Sequence, residues 1–227
     1  MYVLVVGATG QLGLPAVSAL VAAGHRVRGT ARTPEKAARL ERLSVEPILN
    51  VDPYSADDLQ RAVDGCDAVI RLTTKVPPLA AMRRAASWRE TDRLRTEGAR
   101  LLVDAALGSG CKIYVHESVT FGYADGGATW LDESAPIDPE GWAPFRAAIQ
   151  SEQEAARFTA AGRRGIVLRF PSLYSRDDPV SRDIRRLARW RLVPTSAPAT
   201  TTIRRCGSPI PVTRSLGRSR LQPASTM

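Results

Sequence analysis

Residues 2–13, YVLVVGATGQLG, decide the fold: an apolar run ends in three glycines, Gly7, Gly10 and Gly13. The run predicts a buried strand, and the helical period of residues 14–24 predicts a helix directly after the glycines. The first glycine permits a tight turn, the second lets a pyrophosphate approach the backbone, and the third lets helix and strand pack closely. Free N–H groups at the helix start favour phosphate oxygens. The stretch therefore predicts a dinucleotide-binding loop, in which Thr9, Gln11 and Leu12 lie beside the phosphates.

The remainder of the chain repeats the same order of strand and helix. Apolar strand-like runs occur at 25–31, 45–51, 66–73, 112–118 and 165–170. Segments of helical period separate them, at 34–43, 55–63, 93–110 and 145–162. This alternation predicts right-handed crossovers and a parallel sheet with helices on both faces. The fold class is therefore α/β, a doubly wound Rossmann sheet over residues 1–175.

Composition limits the class of protein. The chain has 227 residues, 44% apolar and 24% charged, which is typical of a soluble globular domain with a short appendage. No apolar run approaches the ~20 residues of a membrane span, and the start lacks the features of a signal peptide. We expect a cytoplasmic protein with no membrane partner. The three cysteines, Cys66, Cys111 and Cys206, are expected to be buried thiols, and with only two histidines no metal site is expected.

The positive charge is concentrated at the end of the chain. The net charge is +9, and residues 176–227, with eleven Arg against three Asp, contribute +8 of it. SRDIRRLARWRLV (181–193) predicts a basic amphipathic helix. The remaining residues are rich in Pro, Ser and Thr and predict a largely irregular segment. A nucleic-acid-binding arm is disfavoured, because Trp190 is the segment's one aromatic residue and no nucleic-acid module is recognised.

Several blocks resemble one family in the same order along the chain. GATGQLG (7–13), GCDAVIRLTT (65–74), EGARLLVDAAL (97–107), YVHESVTFGY (114–123) and VLRFPSLYS (167–175) resemble the short-chain dehydrogenase/reductase superfamily, in particular its extended branch of NAD(P)-dependent epimerases, dehydratases and reductases. The resemblance covers residues 1–175. It implies hydride transfer at a carbonyl or sugar-like carbon of a small-molecule substrate. It also implies a homodimer formed through the long helices, one of which is ARLLVDAAL.

The resemblance implies further cofactor contacts. Asp52 would lie near the adenine ring, and Leu72, Thr73 and Thr74 would line the cofactor at the end of the fourth strand. Other interpretations remain open: Asp52 as a cap of helix 55–63, and the threonines as ordinary strand-end residues.

The second strand bears on the choice of cofactor. A carboxylate at its end would bind the ribose 2′-hydroxyl of NAD, whereas an arginine accommodates the 2′-phosphate of NADP. Here no carboxylate precedes Glu35, and Arg32 follows the strand with Lys36 one helical turn beyond. The planar guanidinium suits a phosphate dianion. The sequence therefore favours NADP, with NAD as the second choice and a solvated surface arginine as the plain alternative.

The family's catalytic set is only partly matched. In the family a Ser or Thr, a Tyr and a Lys act together, and the Tyr exchanges the proton. Ser118 matches the Ser, although a hydroxyl at a strand end can also serve backbone groups. Phe145 occupies the Tyr position and Ile149 the Lys position, and neither side chain can move a proton. Tyr123 is the available substitute, although it matches a tyrosine that is not the family's proton donor.

Two hypotheses follow from the missing pair. Hydride transfer survives through another donor, with Ser118 acting with water or with Tyr123. Alternatively, the fold keeps the cofactor and has lost the reaction, as a redox-sensing or scaffold protein. The long helix before the Ser118 block also departs from the family, because Arg95 stands where the family often has an asparagine.

The resemblance also gives a reading of the basic segment. Extended members carry a substrate lobe after the sixth strand, and residues 176–227 would be its remnant. The family pattern is lost near Pro194, as expected of a truncated gene or a disturbed reading frame.

Overall fold

The computed structural model describes residues 1–138, 141, 143–175 and 179–190. Its centre is a six-stranded sheet in the order β3-β2-β1-β4-β5-β6, and each neighbouring pair of strands is parallel. The strands are β1 (Tyr2–Val6), β2 (Arg26–Ala31), β3 (Glu46–Leu49), β4 (Ala68–Arg71), β5 (Ile113–Val119) and β6 (Arg164–Phe170). The predicted doubly wound Rossmann sheet is confirmed.

Seven α-helices occur in the part of the chain that the structure describes: α1 (Gly13–Ala22), α2 (Pro34–Glu41), α3 (Ala56–Val63), α4 (Arg89–Arg93), α5 (Ala99–Gly108), α6 (Ala143–Ala160) and α7 (Pro179–Arg189). Side-chain caps fix two starts: Thr33 accepts the N–H of Lys36 before α2, and Ser55 accepts that of Asp58 before α3. The segment predicted as one long helix over 93–110 contains a π-helical turn, Leu94–Gly98, that joins α4 to α5.

The sheet is buried on both faces. Apolar side chains of α3, α5 and α6 pack on one face, where Leu59, Leu102 and Phe158 are buried. Side chains of α1 and α2 pack on the other, where Val17 and Leu40 are buried. Burying a side chain of this size contributes about 1.5–3 kcal/mol, so these two layers supply most of the stability of the domain.

The strand order creates a crevice. The chain passes from β1 outward to β2 and β3, and then returns to place β4 on the other side of β1. At such a switch point the connections after two neighbouring strands diverge, which leaves an opening at the carboxyl ends of the strands. We call this end of the sheet the carboxyl edge and the opposite end the amino edge.

Other expectations have clear outcomes. Cys66 and Cys111 are free and buried, as predicted, and Cys206 lies outside the described residues. Of the predicted helix 181–193, the described part forms α7, and residues 191–227 lie outside the description. Within the described ranges no helix has the length and apolarity to cross a membrane.

Candidate cofactor and catalytic site

The glycine turn lies at the carboxyl edge between β1 and α1, and its geometry gives each glycine a separate reason. Gly7 has φ +90°, and a Cβ there would lie 2.8 Å from the carbonyl oxygen of Leu72. A Cβ on Gly10 would contact only the Gly7 carbonyl, at 3.2 Å, so the exposed backbone of Gly10 faces open space. A Cβ on Gly13 would lie 2.1 Å from the Gly7 carbonyl oxygen, which is too close for any side chain. The turn is thus tight at Gly7, open at Gly10 and closely packed against the start of α1 at Gly13.

Contacts from neighbouring strands fix this turn. The N–H of Gly7 donates to Thr30 Oγ1 at 3.0 Å, and the N–H of Gly10 donates to the Gly7 carbonyl at 3.0 Å. Helix α1 begins at Gly13, after Leu12, so the first amides of the helix lie at the opening. The same turn contains the three residues that the sequence predicts to lie beside the phosphates, Thr9, Gln11 and Leu12. Open backbone and helix amides are what a pyrophosphate requires.

Leu72, Thr73 and Thr74 follow β4 on the other side of the crevice. The N–H of Leu72 donates to the Val6 carbonyl at 2.8 Å, which extends the pairing of β1 and β4 by one residue. The Thr73 hydroxyl is buried and has no hydrogen-bond partner among the described residues. A buried hydroxyl without a partner is costly, and a polar ligand in the crevice would satisfy it. Together with the open Gly10, this observation fits a bound dinucleotide.

Arg32 follows β2 directly and is exposed. Within the described ranges neither Arg32 nor Lys36 has an ion-pair partner within 4.0 Å. The nearby carboxylate of Glu35 accepts a hydrogen bond from the Thr33 side chain, which lowers the pKa of that carboxyl. Glu35 is therefore engaged at the start of α2, and the position beside the second strand carries positive charge.

Asp52 lies in the turn before α3, with an exposed side chain. Its carboxylate accepts the N–H of Tyr54 at 2.9 Å, and its own N–H donates to Asp58 at 2.9 Å. The cap of α3 is Ser55, so the interpretation of Asp52 as the helix cap is wrong. Asp52 instead stabilises the tight turn through which β3 leads into α3.

The two positions where the family has its Tyr and Lys are apolar contacts. The ring of Phe145 stacks on that of Phe121, with ring centroids 4.9 Å apart. It is nearly perpendicular to the ring of Trp88, with centroids 6.3 Å apart. Ile149 packs against the backbone of Gly122, where a Cβ would lie 2.4 Å from Ile149 Cδ1. Both residues hold the loop after β5 against α6.

Ser118 and Tyr123 meet in one charged network at the carboxyl ends of β5 and β6. The buried Ser118 donates from Oγ to Glu152 Oε1 at 2.6 Å. Arg169 binds both oxygens of Glu152, at 2.9 and 2.7 Å, and donates from Nη1 to the Tyr123 hydroxyl at 2.8 Å. The hydrogen bonds to Glu152 raise the pKa of Arg169 further above its already high value.

A second polar cluster joins the end of β4, the π-helical turn and β5. Arg71 and Arg95 are buried, and an Arg95 guanidinium nitrogen lies 3.8 Å from the buried carboxylate of Glu117. Burial raises the pKa of Glu117, while the two arginines oppose that rise. One nitrogen of Arg71, two of Arg95 and one oxygen of Glu117 have no hydrogen-bond partner among the described residues. Such unpaired buried groups mark sites that stability alone does not explain.

His116 is a structural histidine. Nδ1 lies 3.0 Å from the Tyr114 hydroxyl and Nε2 lies 2.8 Å from Ser151 Oγ, which itself donates to the Ala148 carbonyl. This pattern assigns the proton to Nε2. Burial, then Arg71 and Arg95, lowers the pKa of His116 to about 2, so the ring is neutral. The described residues contain no group of three His, Cys, Asp or Glu side chains that would hold a metal ion.

Sequence reasoning missed Arg169, Glu152 and Arg71. A signal existed for two of them, because an arginine within or at the end of an apolar strand, as in AVIR and GIVLRF, is unusual unless it is paired. Glu152 gave no such signal, since α6 carries several charged residues on its exposed face.

The fold and this geometry define a class: a Rossmann domain built to bind a nicotinamide dinucleotide. Residues 7–164 match the model of the NAD(P)H-binding family NAD_binding_10. The chain belongs to this family, within the short-chain dehydrogenase/reductase superfamily.

Two curated proteins are similar in sequence. The chain is 36% identical over 193 residues to a 3-diazoavenalumate denitrifying reductase of a Streptomyces species, which covers 81% of this chain and 60% of that protein. It is 30% identical over 181 residues to a 4-hydroxy-2-methyl-3-oxo-4-farnesyl-3,4-dihydroquinoline-1-oxide ketoreductase of Stigmatella aurantiaca, which covers 78% of this chain and 52% of that protein. The chain thus spans little more than half the length of these relatives.

Solved structures agree on the fold. UDP-glucose 4-epimerase of Thermus thermophilus in complex with NAD superposes with a TM-score of 0.62 at 20% identity, over 79% of this chain and 58% of the epimerase. A short-chain dehydrogenase/reductase superfamily protein of Agrobacterium tumefaciens with bound NAD gives 0.63 at 22% identity, over 84% and 59%. At these identities the likeness concerns the fold alone.

Proposed function

We propose that the protein is an NADPH-dependent reductase that delivers a hydride to a carbonyl or a similar electrophilic group of a small molecule. The observation that carries this proposal is the carboxyl edge itself. It combines an open glycine turn with a half-buried tyrosine, Tyr123, whose hydroxyl is bound by a charged network. A binding site for the dinucleotide and a side chain able to give a proton are the two parts that a reductase needs.

The relatives support a reduction. Both carry the name of a reductase, one acting on a diazo compound and the other on a keto compound. Because this chain spans only part of each relative, the substrate is proposed by class: a compound with a reducible carbonyl or diazo group.

The residues divide the work of binding. The glycine turn and the start of α1 would hold the pyrophosphate, and Arg32 with Lys36 would hold the 2′-phosphate of NADP. Thr73 would hydrogen-bond the cofactor inside the crevice, and Ser118 and Tyr123 would serve the reaction at the same edge. When bound, the reduced nicotinamide supplies the hydride.

One observation favours a second candidate, a cofactor-binding sensor without turnover. Phe145 and Ile149 occupy the family's catalytic positions and are used for packing. A sensor of this kind would bind NADPH with the same residues and would not consume it.

Calorimetric titration with NADPH and with NADH tests the cofactor. We expect NADPH to bind more tightly, and Arg32→Ala to weaken NADPH about tenfold, near 1.4 kcal/mol, while NADH binding stays unchanged. Arg39→Ala, which removes an exposed arginine on the following helix α2, is the matched control. Equal binding of both nucleotides that Arg32→Ala does not alter would overturn the NADP assignment. Binding of neither would overturn the proposed function.

A further inference from the structure

The hydroxyl of Tyr123 acts as a hydrogen-bond acceptor toward Arg169. Arg169 Nη1 donates to the phenol oxygen at 2.8 Å, and the guanidinium carbon lies 4.8 Å from the ring centroid. Arginine has no acceptor, so this bond uses a lone pair of the oxygen and leaves the O–H hydrogen for another partner. In the parts of the chain that are described, no acceptor for that hydrogen is recorded. Tyr123 is half-buried and follows β5 at the carboxyl edge.

Arg169 is a fixed cation beside this hydroxyl. Its two other guanidinium nitrogens, Nε and Nη2, bind Glu152 at 2.9 and 2.7 Å, in the bidentate geometry that makes arginine and carboxylate pairs rigid. Both side chains are largely shielded from solvent, because only 21% of the Arg169 side chain and 14% of the Glu152 side chain are exposed. The guanidinium thus places a positive charge 2.8 Å from the phenol oxygen, where negative charge develops as the proton leaves.

Ser118 has a different position in the network. Its Oγ is fully buried and donates its one hydrogen to Glu152 Oε1 at 2.6 Å. The hydroxyl therefore has no hydrogen for a substrate while this bond exists. It holds the carboxylate that in turn holds Arg169.

We propose that Tyr123 is the proton donor of the reduction, and that Arg169 takes the place of the family's lysine. Glu152 and Ser118 are positioning residues that fix Arg169. This inference rests on the proposed function. As hydride reaches the electrophilic carbon, the C=O π bond opens, the Tyr123 O–H bond breaks and a new O–H bond forms on the substrate oxygen. The phenolate remains beside Arg169 until water returns a proton.

Turnover of an electron-poor aldehyde, 4-nitrobenzaldehyde, with NADPH tests the assignment. Tyr123→Phe removes only the donor, so we expect kcat to fall about 100-fold or more with unchanged calorimetric affinity for NADPH. Ser118→Ala should lower kcat less than about tenfold, because Arg169 and Tyr123 keep their mutual contact. Tyr2→Phe, a tyrosine with Arg and Glu contacts at the amino edge, is the matched control.

Rescue separates a chemical role of Arg169 from a structural one. Arg169→Gly should lower kcat as much as Tyr123→Phe does, and a low concentration of added guanidinium chloride should restore part of the lost kcat. In Tyr123→Phe the same addition should restore nothing. A Ser118→Ala loss larger than that of Tyr123→Phe, or a Tyr123→Phe enzyme with parental kcat, would overturn the proposal.

A spectroscopic readout is independent of turnover. In protein labelled with 13C at tyrosine Cζ, the Tyr123 resonance, identified by its loss in Tyr123→Phe, should shift in Arg169→Met, while that of Tyr2 stays in place. An unmoved Tyr123 resonance would refute the contact and the inference. A shifted resonance in a protein that binds NADPH yet never turns over would refute the reductase function, and the donor role with it.

Discussion

The two edges of the sheet carry the same three residue types in opposite arrangements. At the amino edge Tyr2 donates its hydroxyl hydrogen to Glu46 at 2.7 Å, and Arg26 and Arg28 lie over its ring at 4.2 and 4.9 Å. At the carboxyl edge Tyr123 accepts a hydrogen bond from Arg169, and Glu152 binds Arg169 just as Glu46 binds the amino-edge arginines. The direction of one hydrogen bond thus distinguishes a closed structural cluster from one that keeps a hydrogen to give.

The edges also differ in how far their polar groups are satisfied. Arg28 donates to Glu46 and to the carbonyls of Ala62 and Asp64, which ties β2 to β3 and to the end of α3. The carboxyl edge instead holds buried atoms of Arg71, Thr73, Arg95 and Glu117 that have no partner among the described residues. Proteins tolerate such groups mainly where function requires them. The amino edge therefore holds paired polar groups, whereas the carboxyl edge holds unpaired buried groups that a ligand could satisfy.

The largest effect is expected at the glycine turn. Gly13→Ala would place a Cβ 2.1 Å from the Gly7 carbonyl oxygen, so the turn and α1 must separate. NADPH affinity should fall about 1,000-fold, near 4 kcal/mol, when measured by calorimetry on protein whose circular dichroism is unchanged. The matched control is Gly108→Ala at the end of α5, where the nearest atom would be Gln60 Oε1 at 3.5 Å. If both variants bind NADPH like the parent, the turn does not hold the cofactor.

A smaller effect is expected at the buried cluster. Arg95→Met leaves the buried Glu117 carboxyl without its nearest cation, and breaking such a pair should lower the free energy of unfolding by about 3 kcal/mol in urea titrations. Arg26→Met at the amino edge removes an arginine whose side chain is 69% exposed, and the loss should stay within about 1 kcal/mol. Equal losses in the two variants would remove this contrast between the edges.

The smallest effect depends on pH. Hydrogen bonds from Tyr2, Arg26 and Arg28 lower the pKa of Glu46 despite its partial burial. A lowered carboxyl pKa contributes stability above the unfolded pKa, and that contribution disappears as pH falls through the folded pKa. Glu46→Gln should therefore lower the free energy of unfolding by about 1 kcal/mol at pH 7, a modest figure because the pair faces solvent, and by less below about pH 4. A loss that is the same at both pH values would contradict the role of the charge.

The sequence predicts the parts of this molecule that depend on local pattern. Apolar runs gave the six strands, the glycine spacing gave the turn between β1 and α1, and the helical period of residues 34–43 gave α2. Each follows from residues within a few positions of one another. The segment 93–110 was predicted as one continuous helix, and the structure places a π-helical turn, Leu94–Gly98, within it.

The charged network around Arg169 depends on residues far apart in the sequence and was not predictable in the same way. Arg169 and Glu152 meet because β6 pairs beside β5, with Ser118 opposite Arg169, and because α6 crosses both strands. No local pattern specifies that register or that crossing. The sequence identified Ser118 and Tyr123 separately, and only the fold brings them into contact with one arginine and one carboxylate.

The most direct test follows hydride from the cofactor into a product. The chain is mixed with 4-nitrobenzaldehyde and NADPH that carries deuterium on the transferable position of nicotinamide C4, and the alcohol is analysed by mass spectrometry. A reductase is predicted to place deuterium on the former carbonyl carbon, at a rate that falls in Tyr123→Phe and not in Tyr2→Phe. Unlabelled aldehyde recovered from protein that binds NADPH tightly would contradict this account and identify a cofactor sensor instead.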